Sequence, residues 1–143
     1  MKKRSGEPWM PADEFGRDLN GFSVNLLVRD VGQAASFQAD VLGMEVFYAD
    51  ADFALVRGVG AQWMLHADHT YQDHPMHGIA INAEGRGAGL ELRLYGLDPD
   101  AIEQRAREQG YTVLESCTDK PHGMRECFLI DDDGYVWVPS CPI

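Results

Sequence analysis

The chain has 143 residues, 45% hydrophobic and 24% charged, which suits one globular domain or two half-domains sharing a core and lies outside the disordered range. Twelve Lys and Arg against 23 Asp and Glu give a net charge of −11, which argues against nucleic acid and anionic membrane surfaces, both of which need clustered cations, but is compatible with a cationic ligand. No run approaches the ~18 apolar residues of a membrane span. The basic Met1–Arg4 segment lacks the apolar stretch of a secretory signal, and three unpatterned Cys (Cys117, Cys127, Cys141) suit reduced thiols in a cytoplasmic setting.

Residues 1–20 are polar, contain Pro8, Pro11 and Gly16, and read as an extension or arm that Trp9 and Phe15 could pin to a surface. Phe22 to Val28 is an apolar run suited to a buried strand. Asp30 is placed to cap a helix carrying Val31, Ala34, Ala35, Phe37, Val41 and Leu42, and Gly43 ends it. Met44–Tyr48, Phe53–Arg57 and Gln62–His66 then read as three strands, the last two joined by the Gly58-Val59-Gly60 turn. Residues 69–87 are a His-, Pro- and Gly-containing linker with room for a small strand or a lid. Ala88 to Tyr95 is a strand, and Asp98-Pro99 opens a helix that Gly110 closes. Tyr111–Glu115, Arg125–Ile130 and Tyr135–Val138 follow as strands, with Pro139 and Pro142 ending the last.

These segments form a repeat. Ser23–Phe47 and Glu91–Leu114 each read as strand, Asp, helix, Gly, strand, and each continues into a hairpin and a further strand. The chain therefore divides into an N-terminal extension (1–20), a first βαβββ module (21–68), a linker (69–87) and a second βαβββ module (88–143). The expected class is α+β, with the modules forming an open, curved mixed sheet around a cavity.

Four motifs carry a resemblance: Val28-Arg29-Asp30, Val41-Leu42-Gly43-Met44, His122-Gly123-Met124-Arg125, and Asp131-Asp132-Asp133-Gly134-Tyr135-Val136-Trp137. Over residues 21–140 their order and spacing resemble the vicinal oxygen chelate superfamily, which includes glyoxalase I, extradiol dioxygenases, and fosfomycin- and bleomycin-resistance proteins. The resemblance implies the fold but no particular reaction. Metal-using members carry ligands at positions that match Ser23, Met64, Glu91 and Val138. A divalent ion needs about four to six donors, preferably His and carboxylate. This set offers one carboxylate, one hydroxyl, one thioether and one hydrocarbon. The resemblance therefore points to the metal-free, bleomycin-resistance-like branch. A metal-independent protein binding a small molecule, cationic or aromatic, as a homodimer and with no cofactor, is the first expectation. A metal-dependent lyase or dioxygenase with an atypical site built on His66 and Glu91 is the alternative.

Strand alternation assigns the cavity face. Gln62, Met64 and His66 should share it, while Trp63 and Leu65 pack under the helices. Glu91 and Arg93 should share it too, either paired with each other or free for a ligand, and Val136 and Val138 rather than Trp137 should face it. His122 stands at the mouth of the second hairpin. The expected ligand-binding set is thus Ser23, Met64, His66, Glu91, Arg93, His122 and Val138. His66, His69, His74 and His77 form either a loop metal site or a polar linker. Cys127 reads as a buried structural thiol, and Glu103, Arg105, Arg107 and Glu108 as a solvated helix face.

Overall fold

Two aspartates start the two principal helices by the same local chemistry. In the computed structural model, which describes residues 1–143, Asp30 Oδ1 accepts the N–H of Gln33 at 2.9 Å and Asp98 Oδ1 accepts that of Ala101 at 3.2 Å. Helix α1 (Ala12–Asp18) lies in the arm. Helix α2 (Val31–Ser36) continues as a π-helical turn over Phe37–Val41, α3 (Pro75–Ala80) lies in the linker, and α4 (Pro99–Glu108) in the second module. Gly43 and Gly110 end α2 with its π turn and α4 at φ +74° and +80°, a left-handed turn that glycine makes without steric cost. The wider π turn brings Phe37, Gln38 and Val41 inward, and the buried Gln38 amide accepts Trp63 Nε1–H at 3.2 Å.

The strands are β1 (Asn25–Val28), β2 (Glu45–Ala49), β3 (Phe53–Gly58), β4 (Ala61–Ala67), β5 (Glu91–Tyr95), β6 (Thr112–Asp119), β7 (Met124–Ile130) and β8 (Val136–Pro142). They form two four-stranded mixed sheets, ordered β1-β4-β3-β2 and β5-β8-β7-β6. In each, the first strand of the module runs parallel to the last, and the other pairings are antiparallel. Two sheets with one topology are what the internal repeat requires.

Among the strand boundaries that differ from the sequence reading, three have an identifiable local cause. Strand β1 starts at Asn25, because Phe22 is 93% exposed and lies outside the ladder. Strand β5 starts at Glu91, because Leu90 N–H turns back to Gly87 O at 2.9 Å. Strand β8 runs through Pro139, the residue expected to end it. A proline has no N–H to give a ladder. Here the β7–β8 pairing skips from Glu126↔Ser140 to Leu129↔Trp137, while β5 keeps its parallel register with Leu94↔Pro139.

The helix-bearing faces of the two sheets share one core. Trp63 and Trp137 have ring centroids 5.9 Å apart, and Phe37 contacts both Trp137 and Tyr111. Ile102 and Ala106 of α4 join the same cluster. Arg105, expected in a solvated face, instead donates from Nε to Val41 O across the module boundary at 3.0 Å. The linker holds a 3₁₀ turn (Asp68–Tyr71) and α3 rather than a strand. Its Arg86 is buried, pairs with Asp68 at 2.6 and 2.8 Å, and also donates to Leu27 O. The open, mixed-sheet α+β class expected of two βαβββ modules is the one observed, built within this chain as two four-stranded sheets sharing a core. The other face of each sheet points away from that core.

Candidate functional site

The outward face of the first sheet is built from alternate strand residues. Along β4, Trp63, Leu65 and Ala67 are buried in the core, while Met64 and His66 stand on the other face. Asn25 of β1 lies beside His66, with Oδ1 2.5 Å from His66 Nδ1, and donates from Nδ2 to the Tyr71 hydroxyl at 2.8 Å. An amide oxygen only accepts, so this arrangement puts the imidazole proton on Nδ1 and leaves Nε2 as a free acceptor. Burial holds His66 below the usual imidazole range, against a weaker opposing pull from Asp50, so the ring is neutral at pH 7. The Phe53 ring stands 4.9 Å from it.

The arm covers this face. Trp9 packs on Tyr48, Phe47 and Phe53 with centroids 4.8, 5.6 and 6.0 Å away, nearly parallel to Phe53 at 12°. Phe15 of α1 completes the group, 5.2 Å from Trp9 and 6.1 Å from Phe53. A buried carboxylate helps fasten the arm. Asp52, 2% exposed, accepts the backbone N–H of Lys3 at 2.7 Å and of Arg4 at 3.1 Å, and lies 2.7 Å from His69 Nε2. Burial pushes this carboxyl up, but the bonds from His69, Lys3 and Arg4 outweigh it and bring its pKa down to about 2. Between arm and sheet lies a cavity of about 310 Å³, lined by Trp9 and Phe15 above and Phe53, Met64 and His66 below. That volume is at the lower end of small-molecule sites.

The second sheet presents a different face. Arg93 pairs with Glu91 at 2.7 Å, with the buried Glu126, and with the Tyr95 hydroxyl at 3.0 Å. His122 Nε2 is 3.5 Å from the same Glu126 carboxylate. Val138 is fully buried opposite Arg93 in the register, outside the shared core cluster. A groove of about 420 Å³ on this sheet is lined by Glu91, Leu114, Phe128 and Val136. A second groove, of about 490 Å³, runs between the modules along β5 and takes in Ser23, Glu91, Arg93, Trp63 and Trp137.

The seven predicted residues therefore do not converge in one chain. Met64 and His66 lie under the arm; Glu91, Arg93, His122 and Val138 belong to the second sheet; Ser23 borders the inter-module groove and donates to Gln62 O. The Glu91–Arg93 pairing follows from their two-residue spacing along one strand. Sequence reasoning missed Asn25, Asp52, Phe53 and Tyr71. The Asp50-Ala51-Asp52 turn was a partial signal: Asp50 accepts the local backbone N–H groups of Asp52 and Phe53, which leaves Asp52 for a distant partner.

The family's metal positions do not fit a divalent ion in this chain. Ser23 is spent on a carbonyl, Glu91 on Arg93, Met64 faces an aromatic cavity, and Val138 has no donor atom. The four linker-region histidines take separate roles: His66 on Asn25, His69 on Asp52, His74 capping α3 through Nδ1, and His77 within α3. Glu103, Cys117 and Cys127 bring ligand atoms within 4.8 Å of one another. Burial raises both thiols, Cys127 to about 11, so they hold their protons. Glu103 already accepts from Cys117 N–H and Arg107, which makes this a packed polar cluster rather than the solvated face expected of Glu103.

The family model described as the Glyoxalase/Bleomycin resistance protein/Dioxygenase superfamily matches residues 22–138. Among solved structures, a glyoxalase/bleomycin resistance protein/dioxygenase family enzyme from Burkholderia phytofirmans PsJN is similar at 14% identity, over 85% of this chain and 97% of that one, with a TM-score of 0.70. A hypothetical protein from S. aureus reaches the same score at 18% identity, over 90% and 98% of the two chains. A glyoxalase-related enzyme from Fulvimarina pelagi gives 0.67 at 16% identity, over 86% and 88%. No curated protein matches the sequence.

Proposed function

We infer, from the premise that this chain belongs to the Glyoxalase/Bleomycin resistance protein/Dioxygenase superfamily, that it is a metal-independent protein binding a small organic molecule, aromatic or cationic. The observation that carries this reading is the cavity beneath the arm. It is shaped by rings, Met64 and a neutral histidine whose Nε2 has no partner within the protein. Such a lining favours a desolvated guest over a hydrated ion.

The second sheet supports a homodimer. Strands β1 and β5 are edges of their sheets, and Phe22, Leu90, Tyr95 and Leu114 are exposed beside or across the second sheet's open grooves. Edges and apolar patches of this kind are stabilised by pairing with another copy. Sedimentation should give twice the 15.9 kDa of one chain.

The decisive test is elemental analysis of protein purified without chelators, together with thermal shifts against aromatic cations and aldehydes. Substoichiometric metal and a concentration-dependent rise in Tm for at least one compound are expected. Stoichiometric Zn, Ni, Mn or Fe, lost in both His66→Ala and Glu91→Ala, would sink metal independence and restore the lyase or dioxygenase reading.

A further inference from the structure

Resting on that reading, we propose that the cavity under the arm takes a planar aromatic molecule carrying an N–H or O–H donor, seated against Phe53, roofed by Trp9, and bonded to His66 Nε2, and that the arm is the gate through which it enters.

Three observations define the ligand. First, the walls are flat rings: Trp9 and Phe53 lie within 12° of parallel with centroids 6.0 Å apart, and Phe15 meets both edge-on. Aromatic rings favour offset-stacked and edge-on partners at these separations. Second, the floor holds one unused polar atom. His66 Nδ1 is committed to Asn25, which Tyr71 holds in turn, and Nε2 has no partner within the protein. A neutral imidazole acceptor in an apolar site selects for a donor on the guest, because a guest without one leaves that atom unpaired. Third, the cations of the lining, Lys2 and Arg4, belong to the arm, with Arg4 3.9 Å from both Asp50 and Asp52. The acidic groups at the rim are thus already neutralised, which favours an uncharged ring system over the cation that net charge alone admits.

The gate follows from how the arm is held. Its first residues are fastened to Asp52 through Lys3 and Arg4, and its middle rests on aromatic contacts. Its far end joins β1 through Gly21, at φ +79°, where a side chain would be strained. A cover fastened at one end and jointed at the other can lift without disturbing either sheet. A ligand adds contacts to Trp9 and Phe53 that only the closed position provides.

The test uses the full chain and four probes: indole, benzimidazole and 2-naphthol, which carry donors, and 1-methylindole, which does not. Amide and indole N–H chemical shifts are followed by NMR. A donor probe should shift Phe53, Met64, His66 and the Trp9 ring N–H, leaving Leu114, Phe128 and Val136 unmoved. 1-Methylindole should bind at least ten-fold more weakly than indole, by roughly the cost of one unmade hydrogen bond. Trp9→Ala should weaken every probe about ten-fold, and His66→Leu should remove the preference for indole over 1-methylindole. Should His66→Leu not fold, the paired probes on the unaltered chain test the same bond. No shift from any probe at millimolar concentration overturns the inference, as does equal affinity for indole and 1-methylindole, or unchanged affinity in Trp9→Ala. Shifts confined to the second sheet also overturn it, while leaving the broader reading of a binding protein standing.

Discussion

On the first sheet, Phe53, Met64 and His66 are covered by residues of the same chain; on the second, Leu114, Phe128 and Val136 line a groove with no cover of their own. The two sheets share a strand order and a helix position, so the difference does not come from topology. It comes from 20 residues placed before the repeat and from what each face does with its charges. The first face sets its carboxylate, Asp52, at the rim, where it fastens a separate segment. The second sets a buried carboxylate, Glu126, into the sheet itself, where Arg93 neutralises it. A duplicated scaffold thus gains one face covered by a separate segment and one whose polar groups pair within the sheet.

Removing residues 1–20 should separate the faces most strongly. It strips Trp9 and Phe15 from Phe53 and leaves Asp52 without its two arm donors, an expected loss of about 4 kcal/mol from the apolar burial and hydrogen bonds together. Denaturant unfolding gives that number. Hydrogen exchange gives the contrast: protection should fall in β3 and β4 and persist in β7 and β8. Equal loss in both sheets would break the comparison. Next comes Arg93→Ala. It leaves Glu126, 3% exposed, with only His122 at 3.5 Å, and should cost roughly 2 kcal/mol. Indole binding should be unchanged in this variant, because Arg93 lies on the other sheet.

Acid should act on the first face through Asp52. Asp52 has a folded pKa of about 2, below its unfolded value. Its contribution is therefore complete above pH ~4 and is lost as pH falls toward 2. Between those limits the arm should release, at a cost on the order of 1–2 kcal/mol. The Trp9 ring N–H resonance reports the release directly. Asp52→Asn should make that resonance insensitive to pH over the same interval. A midpoint unchanged by the substitution would show that another group holds the arm.

Much of this was legible in the sequence because it is local. Asp30 and Asp98 cap, Gly43 and Gly110 terminate, and the strand alternation puts Met64 and His66 on one face and Glu91 with Arg93 on the other. Most of the misses are long-range. That Arg105 reaches Val41, that Arg86 is buried beneath Leu27 and Asp68, and that Asp52 catches Lys3 and Arg4 depend on pairs 18 to 64 positions apart. No period marks such pairs. Pro139 misled for a different reason: the rule that proline ends a strand holds only where its missing N–H was needed, and here the ladder skips that pair. The open, mixed-sheet α+β fold of two βαβββ modules was legible from the repeat. The repeat shows which face each module offers, but not that the two helix-bearing faces pack together and turn those surfaces apart.

The smallest predicted effect bears on the chemistry most closely tied to the family. Glu91 is the only carboxylate at the four positions where metal-using members carry ligands, so Glu91→Gln is the mildest change that would disable a site there. As a structural element it matters little. Its side chain is half exposed, and its partner Arg93 keeps Glu126 and the Tyr95 hydroxyl when Glu91 is neutralised. An exposed pair of this kind is worth about 0.5 kcal/mol or less. Glu91→Gln should therefore leave the unfolding midpoint, the bound-metal content and the affinity for planar aromatics almost where they were. If the second face instead shared its chemistry with the first, this one substitution would weaken a ligand held by His66, and the division of labour between the sheets would fail at the position where the family's own pattern is strongest.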